Sequence, residues 1–261
     1  MFEIIDQVGR KLCFTKIPKR IVSLVPSQTE LLCDLGLKSH LIGITKFCVH
    51  PRDVAKKTSI VGGTKTIHLE KIKAIKPDII LCNKEENTKE IVEACEGICE
   101  VHVSDVFTIE DSCELIMHYG KLFNRVDQAS VLMHSIQEGF QIFQHVMEKE
   151  MQRRVVYFIW KKPWMVAGSN TFINHILSLN KFKNVYGHLE RYPEIHLNTG
   201  SKLEEVELVL LSSEPYPFKK RHILELQPFF PNAEIRLVDG EMFSWHGSRL
   251  LKALSYFKTL H

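Results

Sequence analysis

This 261-residue chain lacks most of the short motifs that would name an activity. No G-x-G-x-x-G follows an early apolar run, and no G-x-x-x-x-G-K-[ST] occurs. Both common backbone cradles for nucleotide phosphates are therefore excluded. There is no G-x-S-x-G elbow and no H-E-x-x-H helix, so the two most legible hydrolase signatures are missing. The seven cysteines are odd in number and include no C-x-x-C pair, which argues against a disulfide framework or a zinc ribbon. Cys95 and Cys99 share a helix face, but a two-ligand pair is a weak metal signal, and buried reduced thiols are the expectation. No run approaches the ~18 apolar residues that a membrane-spanning helix needs. A formal net charge of +3 is too small to argue for nucleic acid, and Lys219-Lys220-Arg221 reads as solvated surface. The opening Met1-Phe-Glu-Ile-Ile-Asp-Gln has no basic n-region, apolar core or cleavage site. The expectation is a cytoplasmic chain as written, periplasmic or membrane-surface if an export segment was removed.

What is present is a regular alternation. Hydrophobic residues make up 44% and charged residues 25%, ordinary for a globular chain. A short hairpin over residues 1–19 leads to a continuous apolar run at 20–25, the pattern of a strand buried on both faces. Ser27 stands three residues before Glu30, a capping-box spacing, which predicts a helix over 30–35 stopped by Gly36. Further strands are expected at 41–45, 78–82 and 100–103, separated by helices. Residues 126–151 carry apolar side chains at Ala129, Leu132, Met133, Ile136, Phe140, Phe143 and Met147. Those steps of three and four keep one stripe on a long helix of roughly 37 Å. After it the order repeats: strands at 154–160, 184–186, 208–212 and 233–238, and a terminal helix over 247–260. The repeat predicts an α/β fold of two Rossmann-like lobes with mainly parallel sheets. The expected division is an N-terminal lobe over 1–125, a connector helix over 126–151 and a C-terminal lobe over 152–261.

In such sheets ligands sit beyond the carboxyl ends of the strands. The loops there are 26–29, 46–51, 83–87, 161–170, 214–218 and 239–247. They and the strand ends beside them carry Phe47, Cys48 and His50, then Trp160 and Trp164, then Tyr216 and Phe218, then Phe243, Trp245 and His246. Cys48 and His50 are two soft donors in one loop, with ordinary packing as the alternative. Aromatic rings at strand ends suit a sizeable, flat, partly apolar ligand in a cleft between the lobes.

Residues 20–36, R-I-V-S-L-V-P-S-Q-T-E-L-L-C-D-L-G, resemble the substrate-binding proteins of ABC importers for cobalamin, haem and iron–siderophores. The resemblance continues through Leu41-Ile-Gly-Ile-Thr, His50-Pro51, Val61-Gly-Gly, L-E-K-I-K-A-I-K-P-D-I-I-L at 69–81 and M-F-S-W-H-G-S-R-L-L at 242–251. It implies two α/β lobes joined by one long backbone helix that permits little hinge closure. To the strand-end candidates Phe47, His50, Trp160, Trp164, Tyr216, Trp245 and His246 it adds Tyr192, at a position where the resemblance implies a cleft aromatic, and Arg249, which would meet a ligand carboxylate or amide. Thr64 and Asn83 stand where the resemblance implies tryptophans. Docking on a permease would use one glutamate per lobe: Glu70 and, since the stretch 192–202 is irregular where a match is expected, Glu194 or Glu204.

The expected function is non-catalytic capture of cobalamin, haem or an iron–siderophore by a monomer, for delivery to an ABC permease. No intrinsic cofactor, metal site or nucleic-acid partner is expected. The rival readings are a cytoplasmic carrier or sensor, and a tetrapyrrole chelatase using His50 or His246 as ligand or base.

Overall fold

The computed structural model describes residues 2–197 and 201–261. The chain divides into two compact units. One comprises Met1–Gln137 with Trp245–Leu250, the other Glu138–Ser244 with Leu251–His261.

The first unit opens with an antiparallel hairpin, β1 (Phe2–Ile5) and β2 (Lys11–Phe14). Its main sheet holds β3 (Ile21–Ser23), β4 (Leu41–Ile44), β5 (Ser59–Ile60), β6 (Ile79–Asn83) and β7 (Glu100–Ser104). All pairings are parallel, in the order β5-β4-β3-β6-β7. Ile21, Val22, Ile79, Ile80 and Leu81 are wholly shielded, as strands covered on both faces must be. The covering helices are α1 (Pro26–Asp34), α2 (Leu69–Ala74), α3 (Lys89–Glu96) and α4 (Ile109–Leu122). Thr88 caps α3, and Thr108 with Asp111 forms a reciprocal capping box on α4. The hairpin is riveted to β7 by Asp6, whose carboxylate accepts from the Val103 amide at 3.0 Å and the Arg10 guanidinium at 2.9 Å.

The helix expected over 30–35 begins four residues earlier, at Pro26. Proline suits the first helical position because its fixed φ is already helical and it lacks an N–H that would go unused there. Ser27 and Glu30 therefore do not cap one another. Ser27 Oγ instead lies 3.4 Å from His246 Nε2, and Glu30 accepts from Arg249 Nε at 2.8 Å.

The long helix, α5 (Val126–Met147), is shorter than the expected 126–151. Met147 is its last buried apolar residue, and Met151 is exposed. Between them the bonds tighten, with Lys149 N donating to Val146 O and Glu150 N to Met147 O, the pattern of a fraying last turn. The division between the units falls inside this helix. Its first half packs on α4, where a side chain on Gly120 would come within 2.6 Å of Ala129 Cβ.

The second unit contains β8 (Arg153–Trp160), β9 (Trp164–Val166), α6 (Phe172–Leu179), β10 (Phe182–Asn184), β11 (Glu194–Ile195) and α7 (Ser201–Glu204). These are followed by β12 (Leu208–Ser212), α8 (Lys220–Leu226), β13 (Glu234–Val238), α9 (Gly240–Ser244) and α10 (Leu250–Phe257). The sheet order is β11-β9-β8-β12-β13, with β10 also paired to β8. β8, β10, β12 and β13 are mutually parallel. β9 runs antiparallel to β8, and β11 to β9. Residues 161–170 thus hold a strand where a loop was expected. Lys161-Lys162-Pro163 reads as loop but serves as the turn of a hairpin, and Val166 enters the core. Within this unit α10 packs on the second half of α5: Phe143 and Phe257 are 6.1 Å apart, and a side chain on Gly139 would approach Leu254 to 3.2 Å.

Sequence order places Trp245–Leu250 with residues 152–261, yet the segment packs with the first unit. The expected helix start at Gly247 is a 3-10 turn, Gly247–Arg249, before α10. Gly247 sits at φ +84, a left-handed conformation that favours glycine, against Leu31 of α1. Its amide donates to Ser112 Oγ of α4 at 2.8 Å. Arg249 and Glu30 are 4% and 5% exposed, so their ion pair is buried.

Removing one partner of a buried pair costs more than the pair contributes. Arg249→Met is expected to lower stability by about 3–5 kcal/mol in urea melts, and Glu30→Met/Arg249→Met together to recover most of it. A second expectation concerns His102 of β7, which is fully buried with its ring 5.3 Å from Tyr119 and 6.4 Å from His118. Neither ring nitrogen has a hydrogen-bond partner among the described residues. Burial pushes its pKa down to about 4, opposed by the Asp6 charge. The unfolded chain thus binds the proton more readily, so the His102 contribution is complete above the ordinary histidine pKa and is lost as pH falls toward 4. Urea midpoints measured from pH 7 to 4.5 are expected to fall, and His102→Leu to flatten the fall by up to roughly 3 kcal/mol.

Candidate functional site

In the first unit the carboxyl ends of β3, β4 and β6 open into loops that are locked from beneath by polar side chains. Thr29 Oγ1 of α1 bonds Ser23 Oγ at 2.8 Å and the Val25 carbonyl at 3.0 Å. The Cys48 thiol lies 3.1 Å from Thr29 Oγ1 and 3.3 Å from Thr45 Oγ1. Burial pushes its pKa up, so it stays a protonated thiol held by two hydroxyls. Cys48 thus faces inward, while His50 meets Trp245 edge-on at 5.5 Å. The two soft donors of this loop therefore point to different surroundings. Among the described residues no three metal-ligating side chains are grouped to hold an ion.

Below the third loop lies a buried amide and hydroxyl network. Gln28 donates to Ser104 Oγ at 2.5 Å and accepts from Tyr119 OH at 2.8 Å. Asn83, closing β6, donates to Ser104 Oγ at 3.0 Å. Its side-chain Oδ1 accepts from the Glu85 and Glu86 amides at 2.9 and 3.1 Å, and Asn87 Nδ2 donates to the Thr64 carbonyl at 2.9 Å. Each turn is thereby fixed without a ligand. Above this frame Phe47 and Val49 are 49% and 48% exposed. Phe47 lies against Gly63, and Lys46 Nζ is 5.0 Å from its ring centre.

The expected ligand residues on the C-terminal segment are differently placed. Trp245 is largely buried, with the Arg249 guanidinium 4.9 Å from its ring centre. His246 is buried, which pushes its pKa down to about 4 and keeps the ring neutral. Arg249 is held by Glu30. His246 and Arg249 secure the segment against α1, and Trp245 meets both Arg249 and His50.

The second unit gathers a separate aromatic group. Trp160 ends β8 at 38% exposure and meets Tyr216 edge-on at 5.6 Å. Tyr216 contacts Phe218 at 4.8 Å, and Phe218 stacks on Trp164 at 6.2 Å with the planes 6° apart. Trp164 also abuts Phe158 at 5.4 Å, and both Trp164 and Tyr216 pack against the hydrophobic core, so Trp160 is the exposed member of this group. Lys161, ion-paired to Glu225, lies 5.4 Å over the Trp164 ring. The loop bearing Tyr216 is stitched to β8 by Tyr216 N donating to Ile159 O at 3.3 Å. It is braced by Ser244 Oγ donating to Glu214 Oε1 at 2.7 Å. The Arg191 guanidinium lies 5.9 Å from the centre of the Tyr192 ring.

Of the expected docking residues, Glu70 lies in the first turn of α2 with its side chain 85% exposed, 2.8 Å from Lys73 Nζ. Glu194 is exposed on β11, and Glu204 ends α7. Residues 198–200 of the stretch 192–202 lie outside the described residues.

Sequence reasoning passed over Glu30 as a cap and overlooked Glu86 altogether. Glu86 hydrogen-bonds the Thr64 side chain, and burial pushes its carboxyl above the ordinary range, with Lys65 opposing. The available signal was the pair Asn83 and Asn87, which bracket a turn and hold the residue between them.

Comparison with known proteins agrees with this architecture. The model of a family described as "Periplasmic binding protein" matches residues 21–222. An uncharacterised ABC transporter substrate-binding lipoprotein of Bacillus subtilis, YvrC, is 28% identical over 189 residues, covering 69% of this chain and 59% of its own. The vitamin B12-binding protein of Pectobacterium atrosepticum is 27% identical over 176 residues, covering 65% of this chain and 63% of its own. The chain therefore spans about three fifths of the length of these curated relatives. The periplasmic haem-binding protein RhuT of Roseiflexus sp. RS-1 superposes with a TM-score of 0.80 at 15% identity, over 92% of this chain and 97% of that one, a likeness of fold. Across most of its length, from β3 into α8, this chain belongs to the periplasmic binding protein family.

Proposed function

We propose that this protein binds a metal-bearing small molecule of the cobalamin, haem or iron–siderophore class without chemical change and delivers it to an ABC importer. The observation that carries the reading is the exposure of Phe47 and Val49 on a strand-end loop and of Trp160 at the end of β8, on backbone already fixed by internal hydrogen bonds and strand pairing. Exposed aromatic side chains on rigid supports are poorly explained by folding alone and suit an apolar ring face. Preformed loops keep the ordering cost of binding small. The names of the relatives agree: one binds vitamin B12, another haem, and a third is a substrate-binding lipoprotein of an ABC transporter.

Delivery would use Glu70 and Glu194, both exposed carboxylates suited to arginines of a permease. On this reading the protein acts outside the cytoplasmic membrane; of the relatives, one is named a lipoprotein and another periplasmic. No described helix is long and apolar enough to cross a membrane.

Trp160 is a better probe of the ligand surface than Trp245, because Trp245 is largely buried and its loss would disturb the segment it anchors. Titration with cyanocobalamin, haemin and a ferric hydroxamate is expected to give saturable one-to-one binding of at least one of them, with the ligand recovered unchanged. Trp160→Ala is expected to weaken that binding at least about tenfold, or ~1.4 kcal/mol. Unchanged affinity would remove Trp160 from the site, and metal insertion into a free porphyrin would contradict the non-catalytic reading.

A further inference from the structure

Beside Trp160 and Tyr216 the second unit brings hydrogen-bond donors together without an acceptor to match them. His222 of α8 is 1% exposed, and its ring is held edge-on by Phe218 at 5.4 Å and Tyr216 at 5.5 Å. Its Nδ1 accepts from the Lys219 backbone N–H at 2.8 Å. A backbone amide only donates, so Nδ1 carries no proton. Burial, and next the Lys161 charge, push the pKa of His222 down, which keeps the ring neutral with its one proton on Nε2. Nε2 is therefore a donor. Arg221 Nε, also a donor, lies 3.3 Å from it. The Tyr216 hydroxyl, 3.5 Å from the same nitrogen, is at the limit of bonding distance. The carboxylate one turn along α8, Glu225, is taken by Lys161. Lys219, Lys220 and Arg221 are exposed and form no ion pair among the described residues. The basic run that reads as solvated surface in the sequence thus stands against the aromatic group. Trp160 meets Tyr216 at 5.6 Å, and Tyr216 leads through His222 to Arg221.

We propose that Arg221 and the His222 Nε2–H form a seat for a carboxylate at the edge of the bound ligand, whose ring face lies on Trp160. The inference rests on the proposed function and deepens it, since it assigns the ligand to the carboxylate-edged members of that class. A carboxylate between Arg221 and His222 accepts from both N–H groups, so a contact of two donors becomes a pair of hydrogen bonds to a charged acceptor. Lys219 adds positive charge beside it. An uncharged amide edge gains less at this place, and a cationic edge is repelled. Trp160 offers apolar contact that does not distinguish such rings, whereas Arg221 reads the edge. Arg221 and His222 are here specificity-determining residues and take part in no reaction.

The test titrates the full chain with haemin, which bears two carboxylates, and with haemin dimethyl ester, which has the same ring without them, followed by absorbance. The wild type is expected to bind haemin at least about tenfold more tightly than the ester. Arg221→Gln, a change at an exposed position whose folding is checked by thermal melts, is expected to remove most of that preference. Lys183 is exposed on β10, opposite Arg154 at the other end of β8 from Trp160. Lys183→Gln therefore removes the same charge far from the seat, and is expected to leave the preference as it is. Equal affinity of the wild type for haemin and its ester overturns the inference, as does a preference unchanged in Arg221→Gln or lost equally in Lys183→Gln. Binding of cyanocobalamin or an uncharged ferric hydroxamate but not of haemin overturns it while leaving the proposed function intact. Failure to bind any of these probes overturns the inference together with the reading on which it rests.

Discussion

The buried ion pair of Arg249 and Glu30 is the constraint on which the arrangement of the first unit's rim depends. Two charges out of water are tolerable only with close, well-directed contact, and here the guanidinium meets the carboxylate at 2.8 Å. The pair draws Trp245–Leu250, late in the chain, onto α1. His246 against Ser27, Gly247 against Leu31 and Ser112, and Trp245 against His50 then follow from that placement. The first strand-end loops are therefore backed by a segment more than two hundred residues away in sequence. The aromatic and basic residues of that segment have a structural task that their composition alone would not suggest.

The strand-end loops share a design. In each, backbone polar groups are satisfied by side chains of the protein, so the turns need no ligand to hold them. Asn83 and Asn87 do this after β6, Thr29 at the Val25 carbonyl and Thr45 at the Phe47 amide, and Ser212 at the Glu214 carbonyl after β12. Apolar rings are left exposed above, at Phe47 and Trp160. This division of labour suits a binding protein, because affinity is not spent on ordering the site. It offers less to a catalyst: His246 is buried and neutral, and the Cys48 thiol is held protonated.

Much of the fold was legible because its signals are local. Unbroken apolar runs such as 79–82 mark strands buried on both faces, and the step pattern from Ala129 to Met147 marks one amphipathic helix. What was not legible depended on distant partners. Ser27 and Glu30 have a capping-box spacing, but long-range contacts with His246 and Arg249 claim both side chains, and Pro26 starts the helix. The strand Trp164–Val166 was hidden by Lys161-Lys162-Pro163, whose composition reads as loop although the hairpin it turns is part of the sheet. At the candidate site, aromatic residues at strand ends could be named from the sequence. Which of them are exposed could not, because the exposure of Trp160 and the burial of Trp245 are set by tertiary packing. Glu86 escaped notice because a glutamate in a polar turn resembles any solvated one until the neighbours that crowd it are known.

The central claim is that the protein holds a metal-bearing small molecule and does not transform it. Native mass spectrometry of the protein purified from its own host tests this most directly. The account predicts one intact cobalamin, haem or iron–siderophore per chain, released unchanged on denaturation. A protein that consistently carries no small molecule from cells supplied with these ligands, or one that carries a chemically altered product, would contradict it.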